Sequence, residues 1–247
     1  VSGYSQYGVN YSLTSGADEQ TLKDLSKWPT DQYMNIWIVS EIDDNNGNCG
    51  TTGYANLPVG IDQYNGIIMM AGQFGYDPDG TLGYVFGQCG GDNSTLIHEV
   101  GHFFDLYHTF EGGGTGICPS SETDCLTEND MVCDTPPHMN YLDNTTLYFN
   151  CPTGHLNECS SGNMDQVIHN HMNYTGCPDR FTLGQKSRVQ ACVNSSRMSL
   201  TTSLGLTPPN GVYTQPLTSC SSYTTGLGLT GAYAGITQVN FNNLNVV

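Results

Sequence analysis

Basic residues are the scarcest resource of this chain: 6 Lys and Arg face 23 Asp and Glu, a formal net charge of −17 over 247 residues. A nucleic-acid surface is built from clustered Lys and Arg, so that class of partner is excluded. No apolar run reaches the eighteen residues that a membrane span needs. No basic-then-apolar leader opens the sequence either, and the expectation is a secreted chain already processed. The ten cysteines contain no CxxC pair from which a structural metal cluster could be made. Scattered through polar loops, they point instead to disulfides and an oxidising compartment. The acidic balance suits solubility, calcium and cationic substrates. The length is enough to bury a sizeable core, and a monomer is expected.

What is present is concentrated in His98-Glu99-Val100-Gly101-His102-Phe103-Phe104-Asp105-Leu106-Tyr107-His108. Two histidines four apart share one helix face and form a pair of zinc ligands. Glu99 between them is placed to act on a water as general base. His108, six residues past His102, can join only if the helix ends in between. Three imidazoles with one open position describe a catalytic zinc site, whereas structural sites close all four. Leu96, Ile97, Val100, Phe103 and Phe104 give the helix an apolar side, and Asp92, Asn93 and Ser94 offer its start. Two other readings remain open. The third ligand could be a downstream carboxylate, with Glu122, Asp124 and Glu128 as candidates. Alternatively, the chain is a secreted binding or adhesion module with an inert zinc site, which would have little need of Glu99.

Elsewhere the periodicity predicts a short helix over 18–28, strands over 34–42 and 67–74, and a helix over 182–193. Residues 1–16 read as an extended lead-in. Residues 111–163 are rich in Gly, Pro, Asn and Cys and need staples, for which disulfides and calcium are the natural means. Asp130 and Asp134, with Glu128 and Thr135 beside them, offer hard oxygens for calcium. After Met198 the composition turns to Ser, Thr, Gly and Asn, and 198–247 reads as a β-rich accessory tail or the start of a truncated module.

The motif run is similar to the long zinc motif of the metzincins, and its tail resembles the pappalysin family. Further matches follow in order: Met34–Val39, Gly53–Pro58, Met131–Pro136 as a calcium-loop segment, and Ile168–Tyr174 as a Met-turn, then Cys177 and Phe181–Gln185. The resemblance implies an α/β (α+β) metzincin-type catalytic domain over 1–197. Its upper part, about 1–108, would carry a twisted mixed sheet and the active-site helix above a cleft. Its lower part, about 109–197, would be loop-rich and stapled. In the family the strand preceding the active-site helix lies at the sheet edge, where substrate can add by backbone pairing.

The implied roles are a zinc-dependent endopeptidase acting on protein or peptide substrates, with His98, His102 and His108 as zinc ligands and Glu99 as general base. Tyr174 would stabilise the oxyanion, and Met172 would form a floor beneath the histidines without ligating. Calcium would sit at Asp130, Asp134 and Thr135. Asp179, in the wall after the Met-turn, could select a basic side chain after the scissile bond, or could pair with Arg180 or Lys186. His169 and His171, which flank the Met-turn, are expected to be hydrogen-bonding structural residues. By resemblance the disulfides would join Cys118 to Cys151, Cys159 to Cys177, Cys49 to Cys89 and Cys125 to Cys133, leaving Cys192 with Cys220. One position departs from the family pattern: Asp105 stands where glycine is usual. Glycine suits a sharp turn with positive φ there, and aspartate is among the few other residues that tolerate it.

Overall fold

A computed structural model describes residues 16–39, 41–43, 50–73, 94–120, 123–140 and 150–203. By proximity the chain divides into two units, Val1–Tyr76 with Val85–Thr207, and Asp77–Tyr84 with Pro208–Val247. Every described residue belongs to the first. Among these residues no helix is long and apolar enough to cross a membrane.

Three strands form one mixed sheet in the order β1-β3-β2, where β1 is Asn35–Val39, β2 Gly53–Ala55 and β3 Gly66–Met70. β3 runs parallel to β1, with Trp37 beside Ile68, and antiparallel to β2, with Tyr54 beside Ile68. All five residues of β3 are buried, as a central strand covered on both faces requires. Alternation then sends its side chains to two cores. Ile68 and Met70 join Leu22, Trp37, Val39 and Ile42 on one face. Ile67 and Met69 meet Phe103 on the other, with Leu96, Val100, Phe104 and Leu200 packed around them. β3 is therefore the plate against which helix α2 (Ser94–Phe103) is set.

Helix α1 (Gly16–Leu25) is tied to the first face by Lys23. Its fully buried ammonium pairs with Glu19, donates to Asn56 Oδ1 and Tyr64 O at 3.1 and 2.7 Å, and lies over the Trp37 ring. A buried lysine is tolerable only with its charge and protons satisfied in this way. The observed strands are shorter than the periodicity predicts, and residues 71–73 turn as a short 3₁₀ helix. Among the described residues the strand before α2 is β3, the centre of the sheet, with β1 and β2 at its sides. Residues 74–93 lie outside the described set.

After α2 in the chain come a single turn, α3 (Asp165–Ile168), and helix α4 (Leu183–Val193). Thr182 caps α4 through a capping box: Gln185 N donates to Thr182 Oγ1, and Thr182 N donates to Gln185 Oε1. A second apolar cluster joins Met139, Cys151, Met164, Val167 and Ile168, with Cys159 and Cys177 packed against it. Residues 198–203 stay on this body, since Leu200 packs on the sheet and Ser203 Oγ donates to Gln32 O.

The disulfides correct the expected pairing. Cys118 joins Cys159 and Cys151 joins Cys177, an exchange of partners within one quartet. Three of the four sulfurs share the lower cluster, so either pairing would staple the same loops; local chain direction decides between them. Cys125–Cys133 forms as expected. Cys192 is a free, buried thiol rather than half of a bridge to Cys220. Cys49, Cys89 and Cys220 lie outside the described residues.

Candidate metal centre and active site

Helix α2 carries His98, Glu99 and His102 and then ends in a Schellman motif. Leu106 N donates to Gly101 O and Asp105 N to His102 O, both at 2.9 Å, with Asp105 in the left-handed region at φ 75°. The expected positive φ is thus present at the position where aspartate replaces glycine. The reversal returns the chain so that His108 faces the two helical histidines.

The three Nε2 atoms converge. His102 Nε2 stands 3.0 Å from His98 Nε2 and 3.1 Å from His108 Nε2. Two nitrogens each about 2.0–2.1 Å from a tetrahedral ion would sit about 3.3 Å apart, so the spacing fits one zinc ion. The proton positions agree. His98 Nδ1 lies 2.6 Å from His171 O and His102 Nδ1 2.7 Å from Leu106 O. A carbonyl can only accept, so both Nδ1 atoms carry protons and both Nε2 atoms present lone pairs to each other. That juxtaposition repels unless a cation lies between. Burial, aided by the neighbouring His102, holds His98 and His108 down at about 3, neutral and ready to ligate. His108 Nδ1 faces Glu111 Oε2 at 3.9 Å, and its ring stacks on Phe110 at 4.8 Å.

Glu99 is buried, and its Oε2 has no hydrogen-bond partner. Burial alone pushes its carboxyl up to about 8. An orphaned carboxylate oxygen beside three converging lone pairs is the donor set a divalent ion and its water would complete.

The Met-turn holds this arrangement from below. His171 O fixes His98, and Met172 O accepts from Thr109 N at 3.1 Å, next to His108. Met172 is fully buried, and a Cβ added at Gly101 would run into its sulfur. Asn170 and Gln185 exchange amide hydrogen bonds at 2.8 and 3.0 Å, and Asn170 Oδ1 also accepts from Met172 N. The cap of α4 and the floor of the site are one buried network. Tyr174 flanks the histidines, its ring 4.8 Å from His108 and 5.7 Å from His98, and burial raises its phenol so that it stays a proton donor.

The remaining candidates fall elsewhere. Asp124 Oδ1 accepts from Leu126 N, and Glu128 accepts from Thr123 N and Oγ1, so both close their own loop. The group of metal-competent side chains among the described residues is His98, His102 and His108; Glu122 lies outside them. Asp130 is buried with its oxygens on Val132 N and Thr135 Oγ1, while Asp134 Oδ2 accepts from Gly184 N of α4. Asp179 is exposed and bidentate to Arg180, at 2.5 and 3.0 Å. His169 lies 3.0 Å from Cys177 O, a hydrogen-bonding role as expected, and His138 bridges Thr109 Oγ1 and Met139 O. Ile97, expected on the apolar side of α2, is instead 40% exposed. Sequence reasoning missed Gly101, Glu111, Phe110 and the carbonyls of Leu106 and His171. Of these only Gly101 carried a signal, a glycine inside a helix where one costs stability.

Fold and site together define the metzincin class: a mixed sheet backing a helix that carries two ligating histidines, a reversal to a third, and a buried methionine turn beneath. The family model described as pregnancy-associated plasma protein-A matches residues 16–194, and the chain belongs to that family, the pappalysins. An extracellular metalloprotease of Sordaria macrospora is 30% identical over 202 residues, covering 78% of this chain and 59% of that protein. One of Neurospora crassa is 28% identical over 204 residues, with the same coverage of both. The chain thus spans about three fifths of these curated relatives. Mature mirolysin of Tannerella forsythia, solved with a cleaved peptide, shares the fold at a TM-score of 0.53 and 24% identity. That match covers 77% of this chain and 65% of the other.

Proposed function

We propose that this chain carries the catalytic centre of a secreted zinc-dependent endopeptidase. The observation that carries the reading is the meeting of three imidazole lone pairs at 3.0–3.1 Å beside the orphaned Glu99 oxygen. Bound zinc supplies a Lewis acid that polarises a peptide carbonyl and acidifies water. Glu99 takes the proton of the attacking water at Oε2 and delivers it to the leaving amine. The Tyr174 hydroxyl donates to the oxygen that gains charge in the transition state. Leu106 O and His171 O hold the tautomers of His102 and His98, so that no reorganisation is needed as charge develops.

Secretion is supported by three disulfides among the described residues and by relatives named extracellular. We propose calcium for the 128–135 loop on the resemblance of Met131–Pro136, with Asp130, Asp134 and Thr135 exchanging their present hydrogen bonds for the ion. Basic side chains after the scissile bond are favoured through Asp179, for whose carboxylate they compete with Arg180.

The test is metal content together with hydrolysis of a casein or peptide substrate. Glu99→Gln should keep one zinc per chain and lose at least about a hundredfold in kcat, the scale of general base catalysis. His108→Ala should lose the zinc itself. A Glu99→Gln protein as active as the parent would overturn the reading. Full metal retention in His108→Ala would overturn the ligand set.

A further inference from the structure

Asp105 is a side-chain-bearing residue in a conformation that favours glycine, at the turn that delivers the third histidine. One guanidinium holds it from two directions. Arg188 of α4 donates through Nε to Asp105 O at 2.6 Å and through Nη2 to Asp105 Oδ2 at 2.8 Å. The same guanidinium lies 5.2 Å over the ring of Tyr107, the residue before His108. A second arginine follows on the same side: Arg197, fully buried, donates through Nε to Phe103 O at 3.1 Å and stacks on the Phe103 ring. In a chain with six basic side chains, two converge on the end of the metal-carrying helix. Cations are stabilised by the carbonyls exposed there.

The turn controls more than His108. Leu106 O, one residue past Asp105, sets the orientation of the His102 ring. Release of Asp105 therefore misplaces two of three ligands together. We propose that Arg188 is a positioning residue for the metal centre: by clasping main chain and side chain of Asp105 at once, it holds the left-handed turn and so sets affinity for zinc. Arg188 touches neither substrate nor metal and acts through the turn. The proposal rests on the zinc reading above.

The experiment is a chelator-competition titration of zinc into the apo forms of the parent, Arg188→Ala, Arg188→Lys, Asp105→Gly and the double variant. Removing a partner hydrogen-bonded to a metal ligand costs about 10- to 100-fold in metal affinity. Arg188 acts one contact further out, through the turn that holds Leu106 O, so a loss at the lower end, about 10-fold, is expected for Arg188→Ala. Lysine, with one compact ammonium, can serve only one of the two oxygens and should fall between. Asp105→Gly adopts the turn without strain, so its affinity should stay within about threefold of the parent. In that background Arg188→Ala should lose less than about threefold. Equal zinc affinity in the parent and Arg188→Ala overturns the proposal, and so does an equal loss in both backgrounds. Circular dichroism of the apo forms gives a further check: helix lost in Arg188→Ala and not restored by Asp105→Gly would mark a general structural role and overturn it as well. A parent that binds no zinc would sink the zinc reading itself, a separate outcome.

Discussion

Gly101 lies inside α2, one residue before His102 of the candidate metal centre, where glycine is unfavourable by about 1 kcal/mol against alanine. An exposed helix would gain that amount on Gly101→Ala. Here the added methyl falls on the Met172 sulfur, with Met172 Cε at 3.3 Å and Leu106 Cδ1 at 3.5 Å closing the other directions. Met172 is fully buried and its backbone is held at both ends, by Asn170 Oδ1 and by Thr109 N, so the floor cannot simply withdraw. Overpacking of this kind costs about 1–3 kcal/mol, and the helix-propensity gain offsets about 1 of it. The net expectation is a loss of up to about 2 kcal/mol. In a chain of this size that lowers Tm by about 2–4 °C per kcal/mol. The melts should be run with chelator present, because metal bound to the folded state would add its own stabilisation. Met172→Ala supplies the internal control: it opens a cavity at a cost of about 2–5 kcal/mol. On that background the alanine at 101 should be neutral or stabilising. If Gly101→Ala melts above the parent, or if its penalty survives removal of the Met172 side chain, the methionine is not packed against the helix and the reasoning fails.

Two further outcomes follow from particular contacts. His138 is fully buried, and burial lowers its imidazole from 6.5 to about 4, so the unfolded chain binds its proton first as pH falls. Stability is complete above pH 6.5, declines through the window from 6.5 to 4, and is flat below; the total loss from this group is about 3 kcal/mol. His138→Gln should flatten that part of a plot of denaturant midpoint against pH, and an unchanged slope would refute the assignment. At the surface, Arg180→Ala frees the Asp179 carboxylate and should raise the preference for Arg or Lys after the scissile bond by about threefold in a peptide-library digest. Asp179→Ala should abolish that preference; a preference unmoved by either change places the selectivity elsewhere.

Much of the site could be read from one linear motif because its geometry is local. Spacing by four puts His98 and His102 on one helix face whatever surrounds them, and a helix that must release His108 six residues later has to reverse near Asp105. The capping box at Thr182 and Gln185 is equally local, although only the helix it opens was legible and not the amide pair Gln185 forms with Asn170. Cys125–Cys133 was legible, but the partners within the larger quartet of cysteines were not. Cys118, Cys151, Cys159 and Cys177 meet only after three loops have folded onto one apolar cluster, and sequence separation carries no information about which pairs then align. For Asp179 the sequence offered Arg180 or Lys186 as partner and a basic substrate side chain as a third, and only the structure picks out Arg180, because a side chain on a loop chooses among neighbours by direction. The primary structure by itself determined the shared helix face of His98 and His102, the presence of strands near 35 and 67 and the family resemblance, since helix and strand periodicities are properties of short segments. That the second strand is the buried centre of the sheet and not its edge was decided by packing. Only tertiary packing decided which carbonyls orient the imidazoles, which arginine clasps the turn and why residue 101 lacks a side chain. Apart from the Leu106 carbonyl, four residues from His102, those depend on residues 71 to 83 positions apart meeting within one van der Waals contact or hydrogen bond.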